Sequence, residues 1–258
     1  MKITALVENT THRHDLKAEH GLSLYIETLT HRILFDMGQS HLFLENAQTL
    51  GIDLSLVDLA ILSHGHYDHG GGLQAFLECN RHAPVYVHKD AFAPHYNGSS
   101  KYIGLDSSLA SNPRLIFTQD QHQISSNMCL FSCNHRPTID TPPPSGLMRK
   151  VGNEWVWDDF RHEQYLLIQE EGTQVLISGC SHKGILNIAH WFSPNVIIGG
   201  FHFSKLPLDD RLEAYARQLD LFDTDFYTCH CTGSGQYEFM KKHMDRLSYL
   251  STGETIIL

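Results

Sequence analysis

Three histidines and one aspartate lie within the six residues from His64 to His69. This stretch directly follows the apolar run at residues 57–62, whose composition predicts a buried strand. Side chains just beyond a strand end stand on a rigid scaffold, and loops in such places often carry function. The stretch therefore indicates a fold in which a sheet presents four potential metal ligands at the end of a strand. We call residues 63–69 the histidine loop.

The spacing of these ligands predicts two metal ions. His64 and His66 are two residues apart, so in extended backbone their side chains share a face. Asp68 and His69 are adjacent and point apart unless a turn brings both inward. One ion can take the first pair of residues, and a second ion can take the other pair. Imidazole together with carboxylate suits divalent metals, zinc first, with manganese or iron as alternatives.

The overall composition is that of an ordinary globular protein. The 258 residues are 41% hydrophobic and 19% charged, and this length suits one large domain or two small ones. We predict a single domain over residues 1–258. No apolar run approaches the length of a membrane span, and residues 1–8 resemble a strand rather than a signal peptide. We therefore expect a cytoplasmic protein with no membrane partner.

Charge and cysteine content further limit the classes of protein that fit this sequence. The formal net charge is −10 and the chain has no basic cluster, which argues against a nucleic-acid surface. Two bound cations would add positive charge where a substrate binds, so an anionic small molecule is compatible with this balance. The six cysteines, without secretion signals, indicate free thiols rather than a disulfide framework.

The periodicity predicts a strand-rich chain with intermittent helices, arranged as two packed sheets with helices outside. Predicted strands cover residues 1–8, 21–28, 32–36, 57–62, 83–88, 163–169, 174–178, 195–198, 225–229 and 254–258. Predicted helices cover residues 41–50, 70–79, 184–192, 209–221 and 237–247. The first three strands suggest an antiparallel meander. Residues 93–114 are loop-rich, and the proline- and glycine-rich residues 137–153 predict an exposed loop and a candidate mobile lid.

The motif His64-Gly65-His66-Tyr67-Asp68-His69 resembles the signature of the metallo-β-lactamase superfamily. Residues 19–21, 34–40, 177–184 and 199–202 are similar to one branch of it. That branch comprises metal-dependent hydrolases similar to 7,8-dihydropterin-6-methyl-4-(β-D-ribofuranosyl)aminobenzene-5′-phosphate synthase. The resemblance covers nearly the whole chain. It implies an α+β fold, an αββα sandwich of two mixed β-sheets with flanking helices, with the metals at one edge.

The resemblance also implies later ligands at strand ends. His162 precedes the strand at 163–169 and is our candidate to complete the first metal site, the alternative being an exposed histidine in a polar stretch. Cys180 follows the strand at 174–178, where the superfamily often has a bridging aspartate. A thiolate there would favour zinc, and the alternative is a small buried thiol. His230 is assigned to the site of Asp68 and His69.

Further candidates stand beside these ligands. His182 and His202 end or follow strands, and either could replace His162 or His230 as a ligand or contact substrate. Asp36 is predicted to bond to the histidine loop and orient it, although a strand-ending turn would also explain it. The remaining substrate-contacting or orienting candidate is His20. In a strand, Cys229 and Cys231 would point away from His230, so we interpret them as packing.

A dinuclear centre predicts hydrolysis, because two metal ions can activate water and stabilise negative charge on a substrate oxygen. Asp68 is the predicted catalytic residue, orienting or deprotonating the attacking water. We therefore predict a metallo-hydrolase-type enzyme, and the resemblance implies a pterin-transferring synthase reaction. The alternatives are a metal-dependent phosphodiesterase or phosphatase on a small anionic substrate, and a non-catalytic metal-containing ligand-binding or sensing protein. A homo-oligomer is left open.

Overall fold

A computed structural model describes residues 1–258, with eighteen strands and six α-helices. The strands are β1 Lys2–Val7, β2 Ser23–Glu27, β3 Arg32–Phe35, β4 Leu59–Ile61, β5 Val85–His88, β6 His95–Asn97, β7 Lys101–Tyr102, β8 Leu115–Thr118, β9 Gln121–Ser125, β10 Met128–Phe131, β11 Leu147–Val151, β12 Glu154–Trp157, β13 Tyr165–Glu170, β14 Thr173–Ile177, β15 Val196–Gly199, β16 Asp225–Thr228, β17 Leu247–Tyr249 and β18 Thr255–Ile257. The helices are α1 Leu42–Thr49, α2 Tyr67–Gly70, α3 Leu73–Cys79, α4 Ile185–Phe192, α5 Asp210–Leu219 and α6 Ser234–Met240.

The chain divides into two compact units. Unit 1 comprises Met1–Gln119, Pro143–Gln164 and Ser251–Leu258, and unit 2 comprises Asp120–Pro142 and Tyr165–Leu250. Each unit contains one seven-stranded sheet. None of the helices has the length and hydropathy needed to cross a bilayer.

The large sheet of unit 1 has the strand order β18-β1-β2-β3-β4-β5-β8. Strands β1, β2 and β3 pair antiparallel, which confirms the predicted meander, and β3, β4, β5 and β8 pair parallel. A parallel strand is covered on both faces and therefore has a continuous apolar sequence, as β4 does. Its Ala60 packs in a buried cluster with Leu34, Phe43 and Phe76. Burial of each large apolar side chain contributes about 1.5–3 kcal/mol.

Unit 1 also contains a small sheet that the sequence did not predict. Its order is β12-β11-β6-β7, with antiparallel pairing throughout. The prediction of a loop over residues 137–153 is therefore wrong for β11, and residues 93–114 contain β6 and β7. These strands are short and partly exposed, so they lack the apolar alternation that marks a strand. They are held by distant pairing, such as Arg149 opposite His95, which local periodicity does not reveal.

The sheet of unit 2 has the order β17-β16-β15-β14-β13-β10-β9. Strands β14 to β17 pair parallel, and β9, β10, β13 and β14 pair antiparallel. The predicted helix over residues 237–247 is wrong in its second half, because α6 ends at Met240 and Leu247 begins β17. Leu247 is fully buried opposite Phe226, so sheet pairing overrides the local helical pattern.

In both units, candidate site residues follow the carboxyl ends of parallel strands. In a parallel sheet the carboxyl ends of neighbouring strands lie at one edge, which is where such sheets usually bind ligands. In unit 1 the histidine loop follows β4. In unit 2, Cys180 follows β14, His202 follows β15 and His230 follows β16. The candidate residues therefore lie beyond strand ends in each unit, as their positions in the sequence predict.

The packed core of unit 2 can be tested by substitution. Leu176 in β14 is fully buried, whereas Leu221 is 85% exposed. We expect Leu176→Ala to lower the free energy of unfolding by about 2–5 kcal/mol, because it leaves a cavity in a packed core. The matched control Leu221→Ala should change it by less than about 0.5 kcal/mol. Chemical denaturation followed by circular dichroism measures both, and equal losses would contradict the placement of Leu176 in the core.

Candidate metal centre

The eleven candidate residues are divided between the two units. Those in unit 1 are His20, Asp36, His64, His66, Asp68, His69 and His162, and those in unit 2 are Cys180, His182, His202 and His230. Apart from His20, Asp68 and His202, all of them are buried. Buried polar side chains are costly unless they have partners, so the contacts within each unit show what these side chains are placed to do.

The histidine loop brings its three imidazoles together. His66 has extended backbone (φ −101°, ψ 147°) and stands immediately before the short helix α2. The ring centroid of His64 lies 4.5 Å from that of His66 and 4.1 Å from that of His69. All three rings are buried. The loop therefore folds its histidines onto one another instead of spreading them over the surface.

Glycine allows this loop to pack closely. A Cβ on Gly65 would lie 2.1 Å from the carbonyl oxygen of Ala91, far inside any real contact distance. A Cβ on Gly72 would lie 2.3 Å from the carbonyl oxygen of Met37. The glycines at these positions therefore let the backbone on either side of α2 press against neighbouring segments.

Asp36 lies beneath the histidine loop and is fully buried. Its carboxylate accepts hydrogen bonds from the Ser63 backbone N–H (2.7 Å) and from the Ser63 hydroxyl (2.7 Å). It also pairs with Nδ1 of His69 at 2.6 Å. Asp36 itself has φ 59°, a left-handed conformation that aspartate tolerates better than most residues. The backbone thus turns sharply at the end of β3 to direct this carboxylate at the loop.

This network selects the tautomers of two histidines. Because His69 donates its Nδ1–H to Asp36, its Nε2 is the nitrogen with a lone pair for a metal ion. The single Ser63 hydroxyl proton goes to Asp36, so Ser63 Oγ accepts from Nδ1 of His64, 2.8 Å away. His64 therefore also presents Nε2 as its ligand atom. Hydrogen bonds of this kind orient histidine ligands in metal sites.

The carboxylate of Asp68 lies close to the same ligand atoms. Its Oδ2 is 4.0 Å from Nε2 of His69, a separation that one bound ion could span with small movements. The same oxygen is 3.2 Å from Nε2 of His20, whose side chain is 55% exposed. Asp68 is thus held between a buried histidine and a half-exposed one.

His162 is buried, which excludes the predicted alternative of an exposed histidine. Its Nδ1 accepts a hydrogen bond from the Gly65 backbone N–H at 2.9 Å. Its Nε2 lies 3.4 Å from Oδ2 of Asp158 and donates to it. Both ring nitrogens of His162 are therefore engaged within unit 1. Its role as a metal ligand stays a prediction, and ligation would require one of these bonds to break.

His95 and Asp158 extend this cluster and were not among the predicted site residues. His95 Nδ1 donates to Asp158 Oδ2 at 2.7 Å, and its buried Nε2 has no hydrogen-bond partner. The ring centroids of His95 and His66 are 5.6 Å apart, and a ligand atom of each of His66, His95, Asp158 and His162 falls within 4.8 Å of the others. His95 begins β6 in the small sheet, which carried no sequence signal.

The protonation states of this cluster follow from burial and hydrogen bonding. Burial, followed by the neighbouring His162, lowers the pKa of His66 well below its usual value. His66 is therefore neutral at physiological pH, which is the form that binds metals. Burial alone would raise the pKa of Asp158, but hydrogen bonds from His162 and His95 lower it far below its usual value. Asp158 is therefore an anion among imidazoles.

In unit 2 three potential ligands meet after successive parallel strands. One ligand atom from each of Cys180, His202 and Cys231 lies within 4.8 Å of the others. The ring centroids of His182 and His202 are 4.3 Å apart. Burial raises the pKa of the Cys231 thiol, but hydrogen bonding with Cys180 and His202 outweighs it and lowers that pKa well below its usual value. The interpretation of Cys231 as a packing residue therefore leaves out its contacts with Cys180 and His202.

Strained backbone occurs at the same strand ends of unit 2. Ser181, His202 and His230 have φ values of 57°, 58° and 48°. Each non-glycine residue in this region costs about 1–3 kcal/mol, and such strain is concentrated at functional sites. The strain is compensated by the packing of the sheet beneath, and it directs each side chain away from the regular strand geometry.

The donors in both units fit divalent metal ions. Unit 1 offers imidazoles and the Asp68 carboxylate, with hydrogen bonds that place the lone pairs of His64 and His69 on Nε2. The buried Nε2 of His95 has no partner among the protein atoms. Unit 2 adds thiols and imidazole. Nitrogen and oxygen donors of this kind suit zinc, manganese or iron, and the thiols shift the preference toward zinc.

Comparison with known proteins identifies the class. Residues 16–215 match the family model of the metallo-beta-lactamase superfamily, and the chain belongs to this superfamily. It is 32% identical over 243 residues to an uncharacterized protein of Methanocaldococcus jannaschii, covering 90% of each chain. It is 26% identical over 264 residues to the 7,8-dihydropterin-6-methyl-4-(beta-D-ribofuranosyl)-aminobenzene-5′-phosphate synthase of the same organism, covering 93% of this chain and 90% of the synthase.

Comparison with solved structures supports the same superfamily. The crystal structure of Tm1679, a metal-dependent hydrolase of the beta-lactamase superfamily, matches with a TM-score of 0.84 and 30% identity, covering 100% of this chain and 99% of that one. The predicted fold class, an α+β metallo-β-lactamase fold, is therefore confirmed. The chain has the fold of a metal-dependent hydrolase, with histidine, aspartate and cysteine clusters that could hold metals.

The Asp36 network can be tested by one substitution. Asp36→Asn keeps the size of the side chain and tolerates the left-handed backbone, but it removes the charge that holds His69 and Ser63. We expect zinc affinity to fall about 10–100-fold, as for other residues that orient metal ligands. Competition with a chromophoric chelator measures the affinity. The control Asp53→Asn alters an exposed turn carboxylate and should leave zinc affinity unchanged; equal affinities for both variants would refute the role of Asp36.

Proposed function

We propose that this chain is an enzyme that uses two divalent metal ions, with zinc as the preferred metal. Its proposed substrate is a small molecule, either a pterin or a phosphorylated compound. The observation that carries the proposal is the buried hydrogen-bond network of Asp36 and Ser63, which gives His64 and His69 the tautomers that bind metal. Similarity to the dihydropterin synthase, at 26% identity, supports the pterin class.

The first ion is assigned to His64, His66 and one further histidine. The sequence favours His162 for that third position and leaves His182 and His202 open as alternatives. His162 already accepts from Gly65 and donates to Asp158, so ligation there would disturb established contacts. His162 stays the third ligand of the proposal, and its ligation would replace the bond to Asp158.

The second ion is assigned to Asp68 and His69 of unit 1. The assignment of His230 and Cys180 to the same ion rests on the family resemblance of the sequence, in which Cys180 has the position where the superfamily often has a bridging aspartate. The tautomer of His69 supports the assignment of the unit 1 pair, as does the short distance between its Nε2 and Asp68. His202 remains a candidate for substrate contact.

The residues of this chain suit hydrolysis or the related displacement of a leaving group. Bound divalent ions supply Lewis acidity toward a substrate oxygen and activate water at neutral pH. Asp68 is the catalytic residue of the proposal, orienting or deprotonating the nucleophile. Its Oδ2 lies toward His20 and His69. His20, 3.2 Å from that oxygen, holds the carboxylate in place and lies where a proton could pass to solvent. Burial of the histidine loop excludes water from the ligands and strengthens these interactions.

The reaction is tested with two substrate sets on the purified full chain loaded with zinc or manganese. One set pairs a dihydropterin bearing a leaving group with an arylamine ribofuranosyl phosphate, and mass spectrometry detects the joined product. The other set contains generic phosphodiesters and phosphomonoesters. Product in the first set supports the synthase reaction, whereas turnover of the second set alone supports a phosphoesterase. Tight binding of a pterin without any turnover would replace the proposal with a ligand-binding role.

The ligand assignment is tested by His66→Ala. We expect this variant to lose one metal ion per chain and at least about 99% of turnover, since an incomplete metal site cannot supply its part of the transition-state stabilisation. Elemental analysis and the assay above measure the two losses. The control His41→Ala removes an exposed histidine that pairs with Glu45. This variant should keep both its metal content and its turnover. Full metal occupancy in His66→Ala would refute the assignment.

A further inference from the structure

Two cysteines and a histidine of unit 2 meet beyond the carboxyl ends of three adjacent parallel strands. Cys180 follows β14, His202 follows β15, and Cys231 lies in the turn after β16. Because β14, β15 and β16 pair parallel, their ends emerge at one edge of the sheet. We infer that Cys180, His202 and Cys231 form a thiolate-rich binding site for a soft divalent cation, zinc in particular.

The distances suit a single ion. One ligand atom of each residue lies within 4.8 Å of the other two. Tetrahedral zinc with zinc–sulfur bonds of about 2.3 Å and zinc–nitrogen bonds of about 2.1 Å places its ligand atoms roughly 3.5–3.8 Å apart. To reach the spacing that zinc requires, the ligand atoms must approach one another by about an ångström or less. Side-chain movements achieve this without any change in the strands.

The surroundings of the Cys231 sulfur show a site built around that atom. Its Sγ accepts a hydrogen bond from the His202 backbone N–H at 3.2 Å and lies 3.4 Å from the carbonyl oxygen of Cys180, to which its S–H donates. A Cβ on Gly200 would lie 2.3 Å from this sulfur. Only glycine at position 200 leaves room for Sγ, so the backbone of the loop after β15 is shaped to the thiol.

The histidine provides the third donor. One of its ring nitrogens lies within 4.8 Å of both sulfurs, and its backbone N–H already donates to Cys231 Sγ at 3.2 Å. Its backbone is held at φ 58°, which carries the side chain away from the line of β15. An available imidazole beside two buried thiols is a donor set that selects zinc over manganese or magnesium.

Binding would follow a balanced exchange of protons for metal. Cys180 and Cys231 each release a thiol proton to solvent, and two thiolates neutralise the charge of one divalent ion. Three protein ligands leave a fourth position for water or for a further ligand, as in zinc sites that remain open. Every donor belongs to unit 2. The thiolate site therefore shares Cys180 with the proposed function but does not depend on the histidine loop of unit 1.

Cobalt tests the site, because cobalt bound to thiolate absorbs in the near ultraviolet through sulfur-to-metal charge transfer. The full chain, fully reduced, is titrated with Co²⁺ while absorbance and bound metal are measured. We expect a charge-transfer band whose growth corresponds to one bound ion per chain, in addition to ions bound at the histidine loop. Cys231→Ser should lower that band to about half, since one of two thiolates is lost, and weaken cobalt affinity at least about tenfold.

Matched variants show which side chains the charge-transfer band depends on. Cys129→Ser removes a buried thiol of unit 2 that lies outside the cluster and should leave the band unchanged. His66→Ala should also keep the band, although it removes the metal ion assigned to His64 and His66. If Cys231→Ser does not fold, His202→Asn provides the test: asparagine tolerates the left-handed backbone, and the variant should keep the sulfur band but need a higher cobalt concentration to saturate it.

Three results would overturn the inference. One is the absence of a charge-transfer band in the reduced wild-type chain. The second is a band of equal intensity and affinity in Cys231→Ser, and the third is a cobalt affinity unaltered by His202→Asn. A band that survives His66→Ala but falls in Cys231→Ser supports the site in unit 2, whether or not the proposed activity is found. A loss of turnover in His66→Ala, without a change in the charge-transfer band, tests the proposed function and not the thiolate site.

Discussion

The buried carboxylate of Asp36 is the interaction on which the histidine loop depends. It receives hydrogen bonds from the Ser63 backbone, the Ser63 hydroxyl and His69, and through Ser63 it also fixes His64. A fully buried anion is stable only when its lone pairs are satisfied, so the loop and the carboxylate require each other. Since each bond uses the Nδ1 side of an imidazole, the ring lone pair of both histidines lies on Nε2, the nitrogen to which the proposal assigns metal binding. One side chain thus fixes the orientation of two histidines in the loop.

Sheet topology explains why candidate metal-binding residues recur at positions far apart in the sequence. Both large sheets contain a block of parallel strands, and parallel strands expose their carboxyl ends at one edge. The strands beneath are largely buried and rigid, while the residues just beyond them can take strained conformations, as His202 and His230 do. Rigid strands and strained ends are complementary, because packing of the strands supplies the free energy that the strained residues cost.

Much of this arrangement could be predicted from the sequence. The apolar run before His64, the spacing of the motif and the family resemblance together predicted the fold class, and the meander followed from simple alternation. The small sheet could not be predicted, because its strands are short, half-exposed and paired across about fifty residues, as His95 and Arg149 are. His95 and Asp158 were missed for the same reason. The second half of the helix predicted over residues 237–247 failed because Leu247 gains more from burial in a sheet than from helical continuity.

His69 and His162 differ in a way that the sequence does not show. Both are buried histidines, and their positions in the chain suggest the same role. His69 donates at Nδ1 to a carboxylate, which places its ring lone pair on Nε2, whereas His162 accepts at Nδ1 and donates at Nε2 within the protein. The choice between ligand and positioning residue therefore depends on individual nitrogen atoms. Those are set by backbone N–H groups and carboxylates that are not adjacent in sequence, such as Gly65 and Asp36, and only the folded chain brings them into contact.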